Sequence, residues 1–91
     1  MAVNGRNGAA IDAVVGEIRG DGGRAIGVGA DCTDFAAVEL MRRRVEQELG
    51  PVEVLLAFAG GQGSPTPTEQ ISEEQWRSVV DANLTATFLT V

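Results

Sequence analysis

Apolar residues recur at three- and four-residue intervals in three stretches of this chain and run almost unbroken in a fourth. Ile11, Val14, Val15 and Ile18 make one apolar face of a helix, and Phe35, Val38, Met41, Val45 and Leu49 make another. Trp76, Val79, Val80, Leu84, Phe88 and Val91 repeat the pattern in a third helix, where they predict a buried stripe. Strand-like runs lie between. Ala2-Val3-Asn4 is the first, and Ala25 to Ala30 the second, in which close packing would explain Gly27 and Gly29. Val52 to Phe58 is the third: apolar at every position except Glu53, it reads as a parallel strand covered on both faces.

The boundaries have their own chemistry. Asn7 can cap the first helix, and Gly20-Asp21-Gly22-Gly23 ends it. Thr33 or Asp34 can cap the second, which Gly50-Pro51 stops. Ser72 with Gln75 three residues on forms a capping box for the third. The order is strand, helix, strand, helix, strand, helix with short connections. Such alternation implies an α/β fold, with parallel strands joined by right-handed crossovers and helices on both faces.

Composition narrows the chemistry. The 91 residues suffice for one small domain, and their formal charge of −6 argues against a nucleic-acid surface. All seven basic residues are arginines; lysine, tyrosine and histidine are absent. Proton transfer near neutral pH usually recruits those absent types, cysteine or a tuned carboxylate, so the options reduce to Cys32 and the acids. Arg42-Arg43-Arg44 lies among Glu39, Glu46 and Glu48 on a helix and reads as a solvated face. A single cysteine permits no internal disulfide, and Cys32 reads as a small buried hydrophobe. No metal-ligand spacing occurs. No run approaches a membrane span and the opening residues lack a signal peptide's pattern, so the expected location is the cytoplasm, away from membranes.

In an open parallel sheet, ligands sit beyond the carboxyl ends of the strands. The candidate positions are Gly5-Arg6, Asp31-Cys32 and Ala59-Gly60-Gly61, together with Asn83, a polar residue on the apolar side of the third helix. There an amide has to find partners or cost roughly 1–3 kcal/mol.

These features, in this order, resemble the short-chain dehydrogenase/reductase family of Rossmann-type, NAD(P)-dependent oxidoreductases. The resemblance is carried by Gly22-Gly23-Arg24-Ala25-Ile26 leading to Asp31-Cys32-Thr33-Asp34, and by Glu48-Leu49-Gly50-Pro51-Val52-Glu53-Val54-Leu55. Ala59-Gly60-Gly61, Ser72-Glu73-Glu74-Gln75-Trp76 and Asn83-Leu84-Thr85-Ala86-Thr87-Phe88 complete it. It is closest to the ketoacyl-carrier-protein-reductase-like members. Residues 1–91 then correspond to part of an NAD(P)-binding domain, namely the family's second to fourth strands and the helices after them.

By that resemblance, Asp31 would accept a hydrogen bond from the adenine amino group, with the Cys32 backbone beside the ring. An acid favoured near a helix N-terminus is the plainer alternative. Ala59 and Gly60 would let the backbone lie against the cofactor ribose; an ordinary turn glycine is the alternative. Arg6 suits the extra phosphate of NADP, and neither Asn4 nor Gly5 supplies the acid that favours NAD, although Arg6 could simply face solvent. Asn83 would be the family's catalytic-site asparagine, helping to hold a water, or else a satisfied structural amide. Complete members would act on a carbonyl or alcohol and be homo-oligomers.

Departures from the pattern are equally informative. Ala57-Phe58 stands where the family has two asparagines. No glycine-rich turn follows a first strand, because Gly20-Asp21-Gly22-Gly23 closes a helix instead of opening one. The family's tyrosine and lysine have no counterpart, and Ser64 and Ser72 come too early to be its serine. The expectation is a segment inactive by itself; the rival is a non-catalytic remnant or interaction module that binds no cofactor. Asn83-Leu84-Thr85 also fits a glycosylation sequon, set aside on an apolar helix face.

Overall fold

A computed structural model describes all of residues 1–91. Strand β1 (Ala2–Gly5) leads through helix α1 (Gly8–Gly20) to strand β2 (Ile26–Gly29) and helix α2 (Phe35–Leu49). A 3-10 turn (Thr68–Gln70) precedes α3 (Glu73–Val80), a π-helical turn (Asp81–Thr85) and α4 (Ala86–Thr90). β1 and β2 are parallel, in register from Ala2 opposite Ile26 to Gly5 opposite Gly29.

The helices begin and end where side-chain chemistry directs. Asn7 Oδ1 accepts from the Ala10 amide at 3.1 Å to open α1. Of the two candidates for α2, Asp34 caps, accepting from Ala36 N at 2.9 Å. Gly50 follows α2 with φ of 89°, in the region glycine alone enters freely.

Alternation along the strands distributes the two helices to opposite faces. Ile11 and Val15 of α1 pack with Ala25 and Val3 on one side, and Val45 of α2 packs with Ile26, Val28 and Ala2 on the other. The glycine at 27 answers to that packing, because a Cβ there would lie 2.5 Å from Ile11 Cγ2. The same account fails at Gly29, where no atom closer than 4.0 Å stands in the way.

Two expectations are corrected. Val52 to Phe58 is not a strand: it forms no ladder, and its one backbone bond is local, from Phe58 N to Leu56 O at 3.1 Å. Its side chains are exposed, Phe58 by 85%. A strand apolar on both faces needs neighbours along its edges and helices above and below, and among these residues the sheet ends at β1. The stripe of the third helix is likewise uncovered, with Trp76, Val79, Leu84, Phe88 and Val91 exposed and Val80 half-buried. The residue that is buried there is Ala86, seated on Cys32 and Val38 with Met41 and Leu89 around it. Val14 and Phe35 also face solvent. The radius of gyration, 15.2 Å, reflects this openness; a compact chain of this length would have about 12 Å.

Candidate functional site

The carboxyl ends of β1 and β2 lie side by side, as their register requires, and bring Arg6 and Asp31 together. Ala30 N donates to Gly5 O at 3.1 Å, so each strand's exit is tied to the other. Asp31 Oδ1 accepts from Thr33 N at 2.9 Å and Thr33 Oγ1 at 2.7 Å. These bonds, the backbone one first, hold its carboxyl below the usual carboxylate range, and the Arg6 guanidinium adds to the effect. Both bonds use Oδ1, which leaves Oδ2 available as an acceptor.

Arg6 differs from the other arginines of the chain. Arg19 and Arg24 donate to backbone carbonyls, of Ala25 and Glu48. Arg42, Arg43, Arg44 and Arg77 pair with glutamates on their own helices. The three consecutive arginines are thus the solvated face expected of them. Arg6 alone has neither a hydrogen bond nor an ion pair, and it sits where a ligand would lie in a parallel sheet.

Cys32 is buried, and its Sγ donates to Asn4 Oδ1 at 3.0 Å. Burial first, then the Asp31 charge, push its thiol pKa up, which makes it inert as a nucleophile at neutral pH.

The second part of the site is the turn at Ala59-Gly60-Gly61, gripped by Asn83. Gly61 N donates to Asn83 Oδ1 at 3.1 Å, and Asn83 Nδ2 donates to Gly61 O at 2.8 Å and to Val79 O at 2.8 Å. The carboxamide therefore pairs with a backbone unit as a neighbouring strand would. Contrary to expectation Asn83 is exposed, yet every polar atom of its side chain is satisfied. It lies within the π-helical turn, where Ala86 N reaches back to Asp81 O; such wide turns free backbone groups and recur at functional sites. Gly60 has φ of 153°, and a Cβ on it would collide with Asn83 Oδ1. Gly60 is thus required by the asparagine that grips the turn, a reason independent of any ligand.

Sequence reasoning missed Asn4 and the π turn. Asn4 Nδ2 donates to Val28 O at 3.0 Å and Ala30 O at 3.3 Å. Its signal was available, since asparagine is depleted in strands. An unpaired guanidinium and a free carboxylate oxygen thus stand at adjacent strand ends, one a donor and the other an acceptor open to a ligand.

Comparison with known proteins agrees with this geometry. The family model described as short chain dehydrogenase matches residues 1–91. Among curated relatives, "Inactive 2-(S)-hydroxypropyl-CoM dehydrogenase 2" of Xanthobacter autotrophicus is 40% identical over 91 residues, which are 98% of this chain and 37% of that protein. The 2,3-dihydro-2,3-dihydroxybenzoate dehydrogenase of Bacillus subtilis is 31% identical over 86% of this chain and 30% of its own. The crystal structure of a 3-ketoacyl-ACP reductase from Sinorhizobium meliloti superposes with a TM-score of 0.91 at 30% identity, over 98% of this chain and 35% of that one. A short-chain type dehydrogenase/reductase from Mycobacterium marinum gives 0.93 at 31% identity, over 98% and 36%. The chain spans about a third of the length of these relatives. No helix is long and apolar enough to cross a membrane. With its whole length matched by the family model and its backbone superposing on solved members, the chain belongs to the short-chain dehydrogenase family of oxidoreductases.

Proposed function

We propose that this chain forms the adenosine-binding side of an NADP(H)-dependent oxidoreductase acting on a small carbonyl or alcohol in the cytoplasm, and that the 91 residues alone turn over no substrate. The observation that carries the proposal is Arg6: of seven arginines it is the one with no partner, and it stands beside Asp31 at the carboxyl end of the sheet. A 2′-phosphate would give that guanidinium charge-assisted hydrogen bonds. Asp31 Oδ2 would accept from the adenine amino group, with the Cys32 backbone alongside the ring. Ala59 and Gly60 would line the ribose, held in place by Asn83. Bound NADP(H) would supply the hydride; the site residues here are not suited to move the accompanying proton, because lysine, tyrosine and histidine are absent, the Cys32 thiol is held protonated and the Asp31 carboxyl is held below its usual range.

A second reading, a non-catalytic module, draws support from the word "inactive" in the name of the 40% identical relative. One titration separates the two. Binding of adenosine 2′,5′-bisphosphate and adenosine 5′-monophosphate to isotope-labelled chain is followed by amide NMR shifts. The bisphosphate should bind more tightly, with shifts at Arg6 and Asp31, and Arg6→Ala should remove about tenfold of that advantage. Absence of shifts with either nucleotide favours the non-catalytic module. NADPH oxidation by the unmodified chain, abolished by Asn83→Ala, would refute the proposed inactivity.

A further inference from the structure

The side chain of Asn4 does work that the sheet does not require of it. Its ladder position opposite Val28 involves backbone alone, yet its carboxamide reaches across to Val28 O at 3.0 Å, Ala30 O at 3.3 Å and Cys32 Sγ at 3.0 Å. Those three partners are alternate residues along the path by which the chain leaves β2. Both amide hydrogens are used and the amide oxygen accepts once, so every polar atom of the group has a partner. Asn4 is itself exposed, and burial does not account for its being there.

The bonds bracket the two ligand-facing residues. Ala30 is held on both sides, its N–H on Gly5 O at 3.1 Å and its carbonyl on Asn4. Cys32 is held through its thiol. Asp31 lies between two tethered neighbours, and its Oδ1 is then fixed by Thr33. Arg6 directly follows Gly5, the other end of the same tether. Movement of Asp31 away from Arg6 would break at least one bond to Asn4 or Gly5. We infer that Asn4 is a positioning residue that fixes the separation between Arg6 and Asp31, and through it the preference for a 2′-phosphorylated adenosine. The inference rests on the cofactor assignment proposed above.

Its test uses the 91-residue chain, the same two nucleotides, and the amide exchange rate of Thr33, which reports on the turn without any ligand. Asn4→Leu removes all three bonds at similar size. Asn4→Asp, a second variant, retains an acceptor for Cys32 and loses both donors. The expected result is that both Asn4 variants reduce the ratio of bisphosphate to monophosphate affinity about fivefold and raise Thr33 exchange about tenfold. A purely structural asparagine would lower the melting temperature and leave the affinity ratio and Thr33 exchange unchanged, which would overturn the inference. If the wild-type chain itself does not distinguish the nucleotides, the cofactor assignment fails on its own. Thr33 exchange then decides alone, and an unchanged rate in both Asn4 variants refutes the tether.

Discussion

Residues 1–50 hold eight of the nine buried side chains of the molecule; residues 51–91 hold one, Ala86. Hydrophobicity does not explain the difference, because the longest apolar run, Val52 to Phe58, lies in the second part and is exposed throughout. What differs is geometry. β1 and β2 pair with each other and receive a helix on each face, so Ile11, Val15, Val28 and Val45 each meet apolar atoms from a second element. The second part touches the first chiefly through Ala86 on Cys32 and Val38, and its turn at Gly60-Gly61 is bound to its own Asn83. Burial here follows the supply of neighbours rather than the composition of the segment.

The largest expected effect lies in that uncovered run. Exposed, extended apolar backbone favours association, so sedimentation should show concentration-dependent oligomers. Val54→Lys with Leu56→Lys should shift them toward monomer by tenfold or more in dissociation constant, as the loss of a buried aliphatic side chain is worth ~1.5–3 kcal/mol. A wild-type monomer at all concentrations would show that the run is covered in solution. Next, truncating equivalent chemistry in the two parts should give unequal losses. Ile11→Ala should cost about 2–5 kcal/mol in denaturant melts, whereas Phe58→Ala, on a surface, should stay within about 0.5 kcal/mol. Equal losses would erase the contrast between the halves. Glycines sharpen it further: Gly27→Ala forces a methyl against Ile11 and should cost about 1–3 kcal/mol, while Gly61→Ala meets open space and should be near neutral. The smallest effect concerns charge on α2. Arg42, through its hydrogen bond first and its charge next, holds the Glu39 carboxyl from the usual 4.5 down to about 2, with Arg43 adding to it. A carboxyl depressed on folding contributes stability above its unfolded value and loses it as pH falls through the folded one. Helicity of α2 by circular dichroism should therefore decline slightly from pH 4.5 towards 2, less so in Glu39→Gln and in high salt, since the pair is solvent-exposed. An identical acid profile in the variant would exclude a contribution from this pair.

Local signals were legible in the sequence wherever local chemistry decides. The Asn7 and Asp34 caps, the Ser72–Gln75 box and the stop at Gly50 all form as their residue types require. The two parallel strands followed from alternation, and the fit of α1 over Gly27 from the glycine itself. Val52 to Phe58 misled because an apolar run records what a segment can pack against and not whether a partner strand lies beside it. At the candidate site, the residue types at Arg6, Asp31 and Asn83 were visible. Their connections were not: the carboxamides of Asn4 and Asn83 bond to residues 24 and 22 positions away along the chain. The π turn did leave a trace. Trp76, Val80, Leu84 and Phe88 step by four, and three such steps overrun a 3.6-residue helix by about 120°, close to the ~100° that one additional residue takes back.

That wide turn makes the chain unequally tolerant of losing a single residue. Deleting one position between Asp81 and Thr85 would let an even α-helix form, and would turn everything beyond it by about 100° relative to everything before. Asn83 within the wide turn and Ala86 just beyond it grip different parts of the molecule: the Gly61 backbone, and the seat formed by Cys32 before α2 and Val38 on it. After the deletion either could keep its hold, but not both. The same loss in the stretch from Gln62 to Pro67, which carries no regular element, would be taken up by the slack of an irregular connection. The one-residue excess in the helix is therefore the length adjustment by which a single continuous rod reaches two separate anchorages.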